Sequence, residues 1–201
     1  MTINTIIFDF GGVLIEWNPR NLYRRFFEHP AEMETFLAEI DFPAWNLHQD
    51  AGRPFVVGVA ELSARFPQHA RLIQAYQEHW EESVGLPIQG SIRLLRRLKS
   101  RGYPVYGLSN WSAETFPLIR SRYDFFDLLD GYVISGDVGT VKPDPEIFLA
   151  LLRRIGRPAD ECLFIDDSAV NIRAASELGF NSILFESPEQ LEARLQHLGI
   201  L

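Results

Sequence analysis

Asp9 closes the apolar run Ile6-Ile7-Phe8 and is followed at once by Phe10-Gly11-Gly12. Strand interiors normally exclude a carboxylate. The residue reads either as a turn, since Asp and Gly commonly end strands, or as an acid held at the carboxyl edge of a parallel sheet, where α/β folds bind ligands. Three later stretches repeat the pattern of an apolar run with polar residues at its end. Val105-Tyr106-Gly107-Leu108 runs into Ser109-Asn110, Tyr132-Val133-Ile134 into Ser135-Gly136-Asp137 and then Lys142, and Cys162 to Ile165 into Asp166-Asp167-Ser168. Singly, each is explained as well by a helix cap. Together they place an acid, a hydroxyl with an amide, a lysine and a pair of acids along one edge.

Asp9, Asp166 and Asp167 would there be three like charges in close quarters, which raises carboxyl pKa values and costs stability. A bound cation and Lys142 would neutralise them. The available ligands are hard oxygens, which suit Mg²⁺ rather than zinc. Mg²⁺ prefers one or two carboxylates together with a substrate phosphate. An acid edge with Mg²⁺, a lysine and a serine is equipment for phosphoryl transfer.

The elements that must position these groups follow from the pattern. Residues 3–8 read as a buried strand. From Pro87 onward, short apolar strands alternate with helices over Ser91 to Ser100, Ser112 to Arg122 (with Pro117 implying a kink or a late start), Glu146 to Ile155, Ala169 to Leu178 and Pro188 to Leu198. That alternation implies an α/β fold with a parallel sheet covered on both faces. Between the first strand and this region lies an aromatic-rich segment that reads as helical throughout, with no strand-like alternation. Its stretch from Trp45 to Arg53 reads as a loop with a short helix. The expected organisation is a core of residues 1–15 and 88–201 with a helical insert over 16–87.

Composition narrows the partners. The chain has 201 residues, 46% hydrophobic and 23% charged, with net charge −8. The acidic balance argues against nucleic acid or an anionic membrane surface, but leaves room for a small anionic substrate at a locally positive site. Cys162, the single cysteine, sits beside Leu163-Phe164-Ile165 and reads as a buried structural thiol. With no basic leader and no long apolar run, a cytoplasmic location is expected, as a monomer or a homodimer.

The order Phe8-Asp9-Phe10-Gly11-Gly12-Val13-Leu14, Leu108-Ser109-Asn110, Lys142-Pro143-Asp144-Pro145 and Phe164-Ile165-Asp166-Asp167-Ser168 resembles the four motifs of the haloacid dehalogenase (HAD) superfamily. The resemblance implies a Rossmann-like HAD core with a small all-helical cap. Gly136-Asp137-Val138-Gly139, Asn171, Ala174-Ala175 and Leu178-Gly179 also fit a phosphatase subgroup that includes α-D-glucose-1-phosphate phosphatases. By this resemblance Asp9 would be the nucleophile, forming an aspartyl-phosphate. Ser109, with the backbone of Asn110, would hold the phosphoryl group, and Lys142 would bridge it to Asp9. Asp9, Asp167 and the Gly11 carbonyl would ligate Mg²⁺, with Asp166 a ligand or a partner through water.

One position departs from the superfamily. Typical members carry a second Asp two residues after the nucleophile, as general acid and base. Here that residue is Gly11. Either the leaving group needs little protonation, as an anomeric sugar oxygen would, or a residue of the cap does the work, or the protein is a slow phosphatase. The first agrees with a sugar phosphate and is favoured. In the insert, Asp50 and Arg53 are candidates to reach the substrate, and Trp17, Asn18, Trp45 and Trp111 to line its pocket. The expected activity is Mg²⁺-dependent hydrolysis of a small phosphorylated metabolite. The alternatives are a 2-haloacid dehalogenase, which also lacks the second Asp and needs no Mg²⁺, and a degenerate binding protein on the same scaffold.

Overall fold

The computed structural model describes residues 3–201. Among them, seven strands follow in chain order: β1 (Thr5–Phe8), β2 (Ile15–Trp17), β3 (Val84–Pro87), β4 (Val105–Ser109), β5 (Gly131–Ile134), β6 (Cys162–Asp166) and β7 (Asn181–Leu184). Between β2 and β3 lie α1 (Arg20–Tyr23), α2 (Pro30–Glu39), α3 (Phe42–Asp50), α4 (Phe55–Arg65) and α5 (Ala70–His79). After β3 come α6 (Gln89–Ser100), α7 (Phe116–Arg122), α8 (Ser135–Val138), α9 (Pro145–Ile155), α10 (Ala169–Glu177) and α11 (Pro188–His197).

Five strands form one sheet in the order β5-β4-β1-β6-β7, and each neighbouring pair is parallel. Every residue of β1 and β6 is buried, as parallel strands packed on both faces require. Side chains of β1 alternate between the two layers. Ile6 and Phe8 pack with Ile92 and Leu95 of α6 and Leu191 and Leu195 of α11. Ile7 packs with Ile147, Phe148 and Leu151 of α9 and Ala175 of α10. Helix α9 is started by the Asp144 side chain, which accepts from the Glu146 N–H at 2.9 Å, and by Pro145 behind it. Cys162 lies in the second layer, and burial pushes its thiol up to about 11, as befits a structural cysteine.

The helical segment has an aromatic centre of its own. The Tyr76 ring lies 4.9 Å from Phe42, 5.7 Å from Trp45 and 5.9 Å from Phe55. Two features here differ from expectation. The chain enters and leaves the segment through an antiparallel ribbon in which β2 pairs with β3, so the stretch is not purely helical. And α3 runs unbroken from Phe42 to Asp50, where a loop with only a short helix was expected over Trp45 to Arg53. Asp41 takes the left-handed conformation at φ 47°, which Asp tolerates better than most residues, and this turns the chain into α3. Gln49 folds back on the helix, donating to the Trp45 carbonyl at 2.6 Å. At Pro117 the late start holds: α7 begins only at Phe116. No helix among the described residues is long and apolar enough to cross a membrane.

Candidate active site

All five sheet strands run the same way, so the ends of β1, β4, β5 and β6 meet at one edge. Lys142 is the centre of the cluster there. It is 2% exposed, and its ammonium lies 2.9 Å from Asp9 Oδ2 and 2.6 Å from Asp166 Oδ2. It donates a third hydrogen bond to the Leu108 carbonyl at 3.0 Å, so its three N–H groups are matched. Asn110 fixes the lysine backbone from the next strand. The asparagine amide donates to the Lys142 carbonyl at 2.9 Å and its oxygen accepts from the Lys142 N–H at 2.7 Å. The Asn110 side chain is therefore a clamp on Lys142, leaving only its backbone for a phosphoryl group.

Asp166 is wholly buried and its acceptor sites are filled. Besides Lys142 it accepts from the Ser168 N–H at 2.8 Å and from the Asn171 amide at 3.0 and 3.1 Å. Asn171 thus orients the acid that orients the lysine, a role its sequence position does not reveal. Asp9, Asp166 and Asp167 each offer a carboxylate oxygen, and these lie within 4.8 Å of one another. Burial pushes the Asp9 carboxyl up to about 7, against the opposing pull of Lys142. Loss of hydration and the charge of Asp166 raise Asp167. Burial would lower the Lys142 ammonium, but Asp9 and Asp166 outweigh it and hold the group above its ordinary value.

Three acids against one lysine leave a negative excess made of hard oxygens, and that chemistry fits Mg²⁺. Asp9 and Asp167 have free acceptor capacity to hold the ion, and the hydrogen bonds of Asp166 fit it as the partner behind them. Gly12 makes room for this arrangement. A Cβ there would stand 2.1 Å from Asp167 Oδ2, and the backbone has φ +76°. Gly12→Ala is expected to push Asp167 aside and weaken Mg²⁺ binding by about 10- to 100-fold, read by calorimetric titration. Unchanged affinity would exclude Asp167 as a ligand.

A cavity of about 420 Å³ opens over this cluster. Its floor carries Asp9, Gly11, Ser109, Asn110, Lys142 and Asp167. Its roof is furnished by the helical segment and β2, with Asp50 among the lining residues. The structure so brings together every residue expected to act on the metal, the phosphoryl group or the substrate except Arg53. That guanidinium turns away to Gln49 at 2.6 Å, Glu61 at 2.9 Å and the Trp45 carbonyl at 3.2 Å, and it is not part of the cavity wall. Trp17 and Trp111 line the pocket as expected. Trp45 does not: its indole N–H is bound to the Gly58 carbonyl inside the helical segment. Asn18 instead turns its side chain to the Arg20 N–H at 3.0 Å. Leu37, Phe42, Leu47 and Trp80 belong to the wall, though nothing in their local sequence sets them apart from ordinary core residues.

Comparison with known proteins gives a consistent family. The model of the haloacid dehalogenase-like hydrolases matches residues 3–179. A sesquiterpene phosphatase of Aspergillus oryzae is 28% identical over 189 residues, covering 89% of this chain and 87% of its own. A drimenol cyclase of Aspergillus calidoustus is 25% identical over 98% of this chain, which spans only 36% of that longer protein. An (S)-2-haloacid dehalogenase of Burkholderia cepacia is 29% identical over 76% of this chain and 65% of its own. Among solved structures, a HAD family enzyme of Bacteroides thetaiotaomicron in complex with magnesium and inorganic phosphate shares the fold. Its TM-score is 0.70 at 24% identity, over 92% of this chain and 95% of that one.

Proposed function

The chain belongs to the haloacid dehalogenase-like hydrolases, and from that premise we propose that it is a Mg²⁺-dependent phosphatase working through an aspartyl-phosphate on Asp9. The observation that carries this reading is the acid cluster: three carboxylates within 4.8 Å, with Lys142 buried against two of them. A bound Mg²⁺ would supply the positive charge that lets Asp9 stay ionised beside a phosphate. Asp9 attacks phosphorus while Lys142 holds its carboxylate and sets a positive charge beside the transferring group. Ser109, 2% exposed on the cavity floor, donates to the same group. Water then releases phosphate from Asp9. A dehalogenase handles a carboxylate substrate without a metal. In this site that substrate would add a further negative charge to three acids faced by one lysine, so the cluster favours phosphate chemistry.

The roof of the cavity bears on the leaving group. Trp17, Leu37, Phe42, Leu47 and Trp80 form most of it, and its polar members are engaged: Arg20 with Glu34 at 2.5 Å, and Asn46 with Tyr76 at 3.0 Å. A sugar would set hydroxyls against apolar walls, at about 1–3 kcal/mol for each one left unpaired. An apolar alcohol fits better than the sugar favoured from sequence, and the sesquiterpene phosphatase among the relatives supports that choice. With Mg²⁺, kcat/KM for an isoprenyl monophosphate is expected to exceed that for glucose 1-phosphate by about 10-fold or more, the scale of one or two buried apolar contacts. Equal or faster hydrolysis of the sugar ester would overturn the apolar assignment. Chloride release from 2-chloropropionate in EDTA, with no phosphate from any ester, would overturn the phosphatase itself.

A further inference from the structure

Asp50 is the last residue of α3 and lines the cavity it shares with Asp9, Ser109 and Lys142. It is fastened to the catalytic edge of the sheet. Its carbonyl accepts from the Ser135 hydroxyl at 2.5 Å, and that hydroxyl accepts from the Trp111 N–H at 2.8 Å. These partners follow β4 and β5, the strands whose ends lead to Ser109 and Lys142.

Helix formation does not account for an acid at this position. The carboxyl end of a helix is the negative end of its dipole and disfavours a carboxylate. Among the described residues the neighbouring cations are engaged elsewhere: Arg53 turns to Gln49 and Glu61, Arg20 to Glu34, and Lys142 to Asp9 and Asp166. The side chain of Asp50 is held instead by a neutral relay. The Asn46 amide donates to it at 2.9 Å, and Tyr76 donates to the Asn46 oxygen at 3.0 Å. Burial pushes the Asp50 carboxyl up to about 7. Groups with strongly shifted pKa values in a cleft cluster at functional sites.

Gly11 supplies the complementary observation. It carries no carboxyl, and a Cβ built there would meet only the Trp17 Cβ, at 3.8 Å. The acids lining the cavity among the described residues are Asp9, Asp50 and Asp167. The first is the nucleophile and the last belongs to the acid cluster. Asp50 is the one left to handle protons.

We propose that Asp50 is the general acid and base of the hydrolysis, replacing from the roof the acid absent at position 11. This rests on the phosphatase reading above. As the bond from Asp9 to phosphorus forms and the ester P–O bond breaks, the Asp50 proton passes to the alcohol oxygen. The resulting Asp50 carboxylate then takes a proton from water as the water oxygen bonds to phosphorus and the Asp9–phosphorus bond breaks. Phosphate leaves, and both acids return to their starting states. The Asn46–Tyr76 relay positions the carboxyl.

The test compares Asp50→Asn with wild type on two esters in Mg²⁺: a phosphate of an alkyl alcohol, and p-nitrophenyl phosphate, whose acidic phenol departs without a proton. The expected loss of kcat/KM is about 10²- to 10⁴-fold on the alkyl ester and below about 10-fold on the aryl ester. The aryl ester should also show a burst of one phenol per enzyme, because release of phosphate from Asp9 has lost its base. Adding Gly11→Asp to Asp50→Asn should restore part of the alkyl rate. Equal losses on both esters, or none on either, would overturn the assignment. An inactive wild type would instead sink the phosphatase reading, and thermal unfolding of the metal-free protein then tests Asp50 alone. Its raised pKa means that folding favours the protonated carboxyl, so stability is lost as pH rises through about 7. Asp50→Asn should therefore melt above wild type at pH 8 relative to pH 5, and a difference that does not change with pH overturns the proposal.

Discussion

Asp9→Asn is expected to lower Mg²⁺-dependent phosphate release by about 10⁴- to 10⁶-fold, the range seen when a nucleophile is removed, while leaving the protein folded. The amide keeps the shape of the carboxylate, so the Phe10 N–H, 2.6 Å from Asp9 Oδ1, retains an acceptor. Lys142 keeps Asp166 at 2.6 Å and the Leu108 carbonyl at 3.0 Å. What disappears is the nucleophilic oxygen and the covalent step with it. Acid-quenched wild type should carry one phosphoryl group on Asp9 by mass spectrometry, and the variant none. A variant that turns over within about 10-fold of wild type would show that the carboxylate of Asp9 is not the nucleophile and that water attacks phosphorus directly.

Much of this floor was legible in the chain because parallel strands share a direction. Once Ile6-Ile7-Phe8, Val105 to Leu108 and Cys162 to Ile165 are read as strands joined through helices, Asp9, Ser109 and Asp166 must meet at one edge. The pairing of Asp9, Lys142 and Asp166 follows from that topology. Division of labour within Asp166-Asp167 was less accessible. The structure puts Asp166 inside β6, wholly buried, and Asp167 outside it, exposed. The Asn110 backbone was expected at the phosphoryl group, but nothing in the sequence showed that its side chain is bound to a backbone 32 residues away. Only tertiary structure reveals a pair of that kind.

The roof was harder to read, for a physical reason. A helix announces itself by an apolar stripe, and α3 buries polar residues on that stripe: Asn46 is 8% exposed and Gln49 0%. Both are satisfied internally, Asn46 by Asp50 and Tyr76 and Gln49 by Trp45 and Arg53. The period was therefore hidden, and Asn46 to Arg53 read as the most polar, loop-like part of the insert, with Asp50 or Arg53 able to reach a substrate. Only Asp50 reaches the cavity. The ribbon of β2 and β3 escaped notice because its strands are 3 and 4 residues long and contain Gly85 and Pro87, too short for alternation to register.

Lys142→Met is expected to reduce unfolding free energy by about 3–5 kcal/mol at neutral pH, the cost of breaking a buried ion pair from one side. Methionine preserves most of the apolar stem beside Phe164, whose ring the ammonium approaches at 5.5 Å. The loss would then come from charge. Asp9 and Asp166, 8% and 0% exposed, would face each other in the interior with no cation. Lys142 lowers the Asp9 carboxyl that burial raises, so its removal lets that pKa climb further. Protonated carboxyls feel no such penalty. The lysine's stabilising contribution through Asp9 is thus present where that carboxyl is ionised and is lost as pH falls through about 7. Urea unfolding in EDTA should show a gap between wild type and variant that is wide at pH 8 and narrow at pH 4. A gap of equal width at both would assign the effect to packing, and would remove the electrostatic basis for placing Asp9, Lys142 and Asp166 in one working unit.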